Sequence, residues 1–217
     1  KRSSSGHHRP ANIPFVLLGT ALLWIGWFGF NAGSALAADG VAVKAFLNTN
    51  TASAIAMLTW IFIDGLRGHK MSAMGAAVGA VAGLVGITPS AGYVTVGESL
   101  FIGFITAVVC NIAVYWKTKT SLDDALDVFP VHGVGGILGT ILTGVFVDGL
   151  LDGEIEIFFN HIWAVLIVIV YTFVVTYAMY WITNKIVKMR VSPDSEKIGL
   201  FWLASRLELT KTGIALR

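Results

Sequence analysis

Six stretches of this chain contain no Asp, Glu, Lys or Arg and are long enough to cross a bilayer: 10–38, 45–63, 71–97, 99–116, 128–147 and 162–184. About 20 apolar residues suffice for a membrane-crossing helix. Lipid cannot hydrogen-bond a bare backbone, so runs of this length in hydrocarbon fold as helices. Only 13% of the residues are charged and 55% are hydrophobic, against about 25% charged in an average soluble domain. The chain therefore reads as an all-α integral membrane protein. Its net charge of +2 is too small to point to nucleic acid, and the single Cys110 excludes an internal disulfide. The chain opens on Lys1, and its basic start is followed by a run too long for a signal peptide. The expectation is that it begins inside a larger protein.

Loop charges set the orientation. With the N-terminus cytoplasmic, the inside segments hold Lys1, Arg2, Arg9, Arg67, Lys70, Lys117, Lys119, Lys185, Lys188 and Arg190, and the outside loops hold only Lys44. Cytoplasmic segments carry the Lys/Arg excess, so both ends of the chain are expected inside. The expected organisation is a cytoplasmic loop over 1–12, a membrane domain over 13–187 and a cytoplasmic tail over 188–217 that is atypical after 200.

Small residues mark where helices can approach closely. Gly75, Gly79 and Gly83 repeat every fourth residue in the third run, Gly29 and Gly33 do so in the first, and Gly135 and Gly139 in the fifth. Thr88-Pro89 and Gly92 interrupt the third run, which predicts a helix end near there. The sixth run is bulky and aromatic with no glycine. It is expected to face lipid or a neighbouring subunit, with Tyr180 and Trp181 near the cytoplasmic interface.

One histidine stands in the fifth run, where no other side chain is ionisable. It is His132, and an imidazole at membrane depth is a functional candidate by default. A neutral ring can accept on one nitrogen while donating from the other. The alternative is a structural histidine bonded to a backbone carbonyl between helices. His7, His8, His69 and His161 lie at no ligand spacing from it, so no metal site is predicted. In the first run, Trp27, Phe30, Asn31 and Ser34 can share one helix face. Aromatic faces attract cations, and a serine oxygen can accept from an ammonium-type donor. Asp123, Asp124 and Asp127 open the fifth helix. Capping and dipole compensation explain Asp123 and Asp124, whereas Asp127 lies deeper and its role stays open.

At these residues the sequence resembles the ammonium transporter family (Amt/MEP/Rh), on its Amt/MEP side. The resemblance is carried by PANIPFVLLGTALLWIGWFGFNAGSA, NTNTASA, GAVAGLVGITPSAGYV and DDALDVFPVHGVGGILGTILTGVF. It runs from about Pro10 to Leu200 and covers the second half of such a protein. Phe201–Arg217 does not match the family tail. The resemblance implies a trimer of eleven-span subunits built from two inverted five-helix repeats, each subunit with its own hydrophobic pore. This chain would supply six transmembrane helices, the second repeat plus the last helix. Ammonium would be recruited outside, lose its proton and cross along facing histidines. Residue by residue, the resemblance makes His132 one of that pair, Phe30 a ring of the aromatic gate, Ser34 the recruitment hydroxyl, and Trp27, Val128 and Thr88 pore-side positions. Asp123, Asp124 and Asp127 form the acidic cluster of the motif.

The leading expectation is thus transport of ammonium or ammonia (methylammonium as analogue) across a cell membrane by a non-enzymatic homotrimer that needs no cofactor. A cytosolic regulatory protein at the inner loops is a candidate partner. The alternatives are an ammonium sensor on the same fold and an inactive half-length fragment.

Overall fold

The computed structural model describes residues 12–120, 122, 124–190 and 192. Residues 1–11, Asp123 and the tail from 193 onward lie outside them. Among the described residues every regular element is helical: α1 Ile13–Gly33, α2 Gly40–Leu66, α3 Ala73–Ile87, α4 Val96–Thr118, α5 Val134–Phe146 and α6 Ile155–Ile186. A π-helical turn, Phe129–Gly133, leads into α5, and a short 3-10 turn, Leu150–Asp152, follows it.

The first four helices begin where a polar side chain can take an orphan backbone N–H. Asn12 accepts from the Phe15 amide at 3.1 Å, Asp39 from Ala42 at 3.0 Å and Ser72 from Gly75 at 3.0 Å. At α4, Thr95 and Glu98 cap reciprocally: the Glu98 amide donates to the Thr95 hydroxyl at 3.3 Å and the Thr95 amide to the Glu98 carboxylate at 2.6 Å.

α1, α2, α4, α6 and the segment Phe129–Asp152 are long and apolar enough to cross a membrane. The third run behaves differently. α3 has 15 residues, about 22 Å at 1.5 Å per residue, short of a core of about 30 Å. It ends at Ile87 with Thr88 as its cap, as the Thr-Pro break predicts. The remainder of that run continues as turns. Irregular backbone at membrane depth survives only where protein covers it and bonds it. Ser90, Ala91 and Val94 are buried, and the buried Asn48 amide donates to the carbonyls of Ala91 at 2.9 Å and Val94 at 2.7 Å.

The α3 glycines face α2. A Cβ on Gly83 would lie 2.6 Å from the Ala56 Cβ and 2.8 Å from the Ser53 Cα, and would also meet the Ala52 carbonyl oxygen. A Cβ on Gly79 would strike Trp60. Ser53 adds a cross-helix bond to the Ala80 carbonyl at 3.0 Å. Gly139 of α5 similarly lies over the Gly86 backbone of α3, and Gly135 faces Cys110 and Val85. The glycine pair of α1 departs from expectation: Gly29 and Gly33 meet nothing within 4 Å, so their spacing marks no helix contact within this chain. Buried α2 side chains anchor both cores, Ala45 and Ala52 beside Ile87, Ala91, Val94 and Ile102, and Ala56 and Trp60 beside Ala82, Ala107, Cys110 and Val131.

Two compact units divide the chain at Leu166 and Ile167, within α6. No α6 residue is buried, in keeping with its lipid-type composition. In the second unit the Lys185 ammonium sits over the Trp181 ring at 5.4 Å.

Gly83→Ala must push backbone atoms of α2 aside, and overpacking of this kind costs about 1–3 kcal/mol. Denaturant unfolding of the purified protein in detergent should report that loss. Gly29→Ala, in open space, should not destabilise.

Candidate functional site

α1 is keyed to its neighbours by two polar contacts. The Asn31 amide donates to the Thr49 hydroxyl at 2.9 Å, and that hydroxyl donates to the Ala45 carbonyl at 2.6 Å. One turn earlier, the Trp27 indole N–H donates to the Thr88 hydroxyl at 2.8 Å. Thr88 in turn donates to the Leu84 carbonyl at 2.7 Å. The Thr88 oxygen thus has its hydrogen committed to α3 and a lone pair aimed at Trp27. These bonds fix the rotation of α1 and hold the indole at the end of α3.

Above Trp27 stands Phe30, edge to face with it at 5.9 Å and 83°, the arrangement that ring quadrupoles favour. Ser34 follows one turn on. Its hydroxyl donates to the Phe30 carbonyl at 2.7 Å, which leaves the exposed oxygen's lone pairs to accept from a ligand. The structure therefore assembles Trp27, Phe30, Ser34 and Thr88 into one continuous group.

His132 and Val128 form a second group. Val128 and Phe129 take their amides to one side chain: Asp124 accepts from Val128 at 3.0 Å and from Phe129 at 2.9 Å. Pro130 has no N–H to satisfy. The Val131 amide donates to the Asp127 carbonyl at 3.0 Å. Pro130 and Val131 are buried, with the Cys110 thiol directed at the Val131 carbonyl at 3.8 Å. His132 emerges beside them, exposed, and its ring has no hydrogen-bond partner among the described residues. Sequence periodicity treats 128–147 as one regular helix. The π turn corrects that by widening the backbone where His132 leaves it, a device found repeatedly at functional positions.

The acidic cluster divides. Asp124 is the cap that the sequence suggests. Asp127 is not a cap: it adopts φ 55° and pairs with Lys117 at 2.5 Å. Asp123 lies outside the described residues. Lys117 escaped the sequence reading, because nothing in its surroundings links the end of α4 to Asp127. The π turn leads into α5, and α5 crosses α3 where Gly139 lies over the Gly86 backbone. Among the described residues no His, Cys, Asp and Glu cluster could hold a metal ion.

Comparison with known proteins gives one consistent answer. The family model described as Ammonium Transporter Family matches residues 1–201. The ammonium transporter of Bacillus subtilis is 42% identical over 210 residues, covering 92% of this chain and 52% of its own length. The crystal structure of Candida albicans Mep2 superposes with a TM-score of 0.82 at 34% identity, over 89% of this chain and 46% of Mep2. A structure titled Sensor Amt Protein superposes at 0.80 and 30% identity, over 92% of this chain and 52% of its own. The chain spans about half the length of these relatives.

The Trp27–Thr88 bond invites a double-mutant cycle. Thr88→Val leaves the indole N–H without an acceptor and should cost about 1 kcal/mol of unfolding free energy. Thr88→Ser should cost less. Trp27→Phe combined with Thr88→Val should recover about the same amount as coupling.

Proposed function

This chain belongs to the ammonium transporter family, and we propose from that premise that it forms the second half of an ammonium-conducting pore. It supplies six spans of an eleven-span subunit, the second inverted repeat and the last helix, with α3 and the turns after it together counting as one span. Both ends of the chain are cytoplasmic, the membrane is the cell membrane, and the working form is a homotrimer. A cytosolic regulator would meet the inner loops.

Ammonium is recruited at Ser34. The geometry that supports this reading is the stack itself: a serine oxygen with free lone pairs, an aromatic pair one turn below it, and a threonine bond holding that pair in place. A cation is attracted by ring faces and accepted by the hydroxyl oxygen. Beyond them the path is apolar, and bare charge is costly there. Ammonium therefore gives up its proton, and neutral ammonia passes Val128 and His132. An unpartnered imidazole suits that step, because each ring nitrogen can donate or accept without first breaking a protein hydrogen bond. Inverted-repeat transporters build their site at the repeat interface, and the remaining walls come from the other half.

The likeness to a sensor protein supports a second reading, signalling on the same fold. Methylammonium uptake separates the two. In the protein completed to the length of its relatives, His132→Ala should lower uptake or change its selectivity by roughly tenfold, the effect of a barrier raised by about 1.4 kcal/mol. Unchanged rate and selectivity overturn the role given to His132. Ammonium-dependent signalling without uptake would move the assignment to a sensor.

A further inference from the structure

We propose that Lys117 is a positioning residue for His132, acting through Asp127 and Asp124; the proposal rests on the pore role given to His132 above. Lys117 sits in the last turn of α4. Its ammonium donates to the Asp124 backbone carbonyl at 2.6 Å and pairs with the Asp127 carboxylate at 2.5 Å. Both partners belong to the segment that leads into the π turn. One cation thus ties a fixed helix to the backbone of Asp124 and to the side chain of Asp127.

What that segment holds explains why the tie matters. The start of a helix leaves its first amides without intrahelical acceptors. Here every one of them before His132 is accounted for. Val128 and Phe129 donate to the Asp124 carboxylate, Pro130 has no hydrogen to donate, and Val131 donates to the Asp127 carbonyl. Asp124 and Asp127 therefore set the register of the turn that carries His132, and Lys117 sets Asp124 and Asp127.

The chain pays for this arrangement at Asp127, whose φ of 55° lies in the left-handed region that non-glycine residues seldom occupy. Such a conformation persists where surrounding contacts over-determine it. The ion pair is the contact on its side chain. The Lys117 and Asp127 side chains are only 15% and 25% exposed, so water cannot easily replace either partner. A shift of this segment therefore alters where the imidazole points.

The test uses the full-length protein in lipid nanodiscs and in uptake assays. Lys117→Met should lower the maximal methylammonium uptake rate about tenfold, since misplacing a reacting group by even an ångström is costly. The half-saturating concentration, set at the Ser34 end, should stay within about twofold of its original value. Lys117→Arg keeps the charge and should recover most of the rate. Hydrogen exchange should quicken at the amides of Val128, Phe129 and Val131 in Lys117→Met and not in α2 or α3. An unchanged rate with unchanged exchange overturns the proposal. Equal loss of protection across α2 and α3, or no recovery in Lys117→Arg, overturns it as well, because either means general unfolding or a different role. If Lys117→Met does not accumulate in the membrane, Asp127→Asn removes the same pair more gently and is read by the same criteria. The exchange measurement does not depend on transport. Unchanged uptake in His132→Ala would overturn the pore reading and with it the effect of Lys117 on transport, whereas unchanged exchange in Lys117→Met would overturn the positioning role of Lys117 and leave the pore reading standing.

Discussion

Three helices meet at the backbone of Ala52. Gly83 of α3 and Gly103 of α4 both lie against its carbonyl oxygen, and Ala52 itself is fully buried. Lipid offers no hydrophobic drive for helices to associate, so close backbone approach and the dispersion contacts it allows must do that work. Any side chain larger than hydrogen at Gly83 or Gly103 would hold the helices apart. The rest of the fold is built outward from this crossing. α5 repeats the device one layer further, with Gly139 over the Gly86 backbone, and so brings the π turn to the same α2–α3–α4 core that receives α1.

Polar side chains finish what the glycines begin. Asn31, Asn48, Thr49 and Ser53 are buried, and each bonds across a helix boundary or to irregular backbone. Three of these four lie in the NTNTASA stretch of α2. The resemblance to a transporter family is thus carried partly by residues whose work is structural. Asn48 keeps the turns after α3 bonded, and those turns place Thr88 under Trp27. The Trp27–Thr88 bond at the end of α3 thus depends in part on a buried amide about two turns up α2.

The sequence was legible where one residue type has one physical use. The cap at Asp124 follows from short acidic side chains at the head of an apolar run. The end of α3 follows from Thr88-Pro89. The α3 glycine stripe does pack, as its spacing suggests. The same spacing at Gly29 and Gly33 meets nothing in this chain, because a stripe shows that a helix can be approached and not what approaches it. The π turn was hidden for a related reason. Pro130 was in view, but near a helix start proline is tolerated, and apolar periodicity cannot resolve one extra residue per turn. Trp27 and Thr88 were each singled out, yet their bond spans 61 positions, and no local pattern announces it. Lys117 and Asp127 are joined through a non-helical link, where neither the 3.6-residue period nor any motif applies.

Two of the exposed apolar surfaces among the described residues differ in chemistry. The α6 surface has no Asp, Glu, Lys, Arg or His over 162–184 and carries Val, Ile and aromatic side chains that hydrocarbon can solvate. The surface at the π turn holds Val128 and Phe129, which are 50% and 60% exposed, and it also holds His132. Lipid tails could cover Val128 and Phe129 without loss. They could not serve the imidazole, whose two nitrogens would go without partners in hydrocarbon. An intramembrane histidine faces a bundle interior or a water-accessible cavity. In the proposed pore the face around His132 is covered by protein, with a lumen left between the two. The relatives are about twice as long as this chain, and on that proposal their other half supplies the cover. The lone ring nitrogens of His132 make that requirement chemical as well as steric.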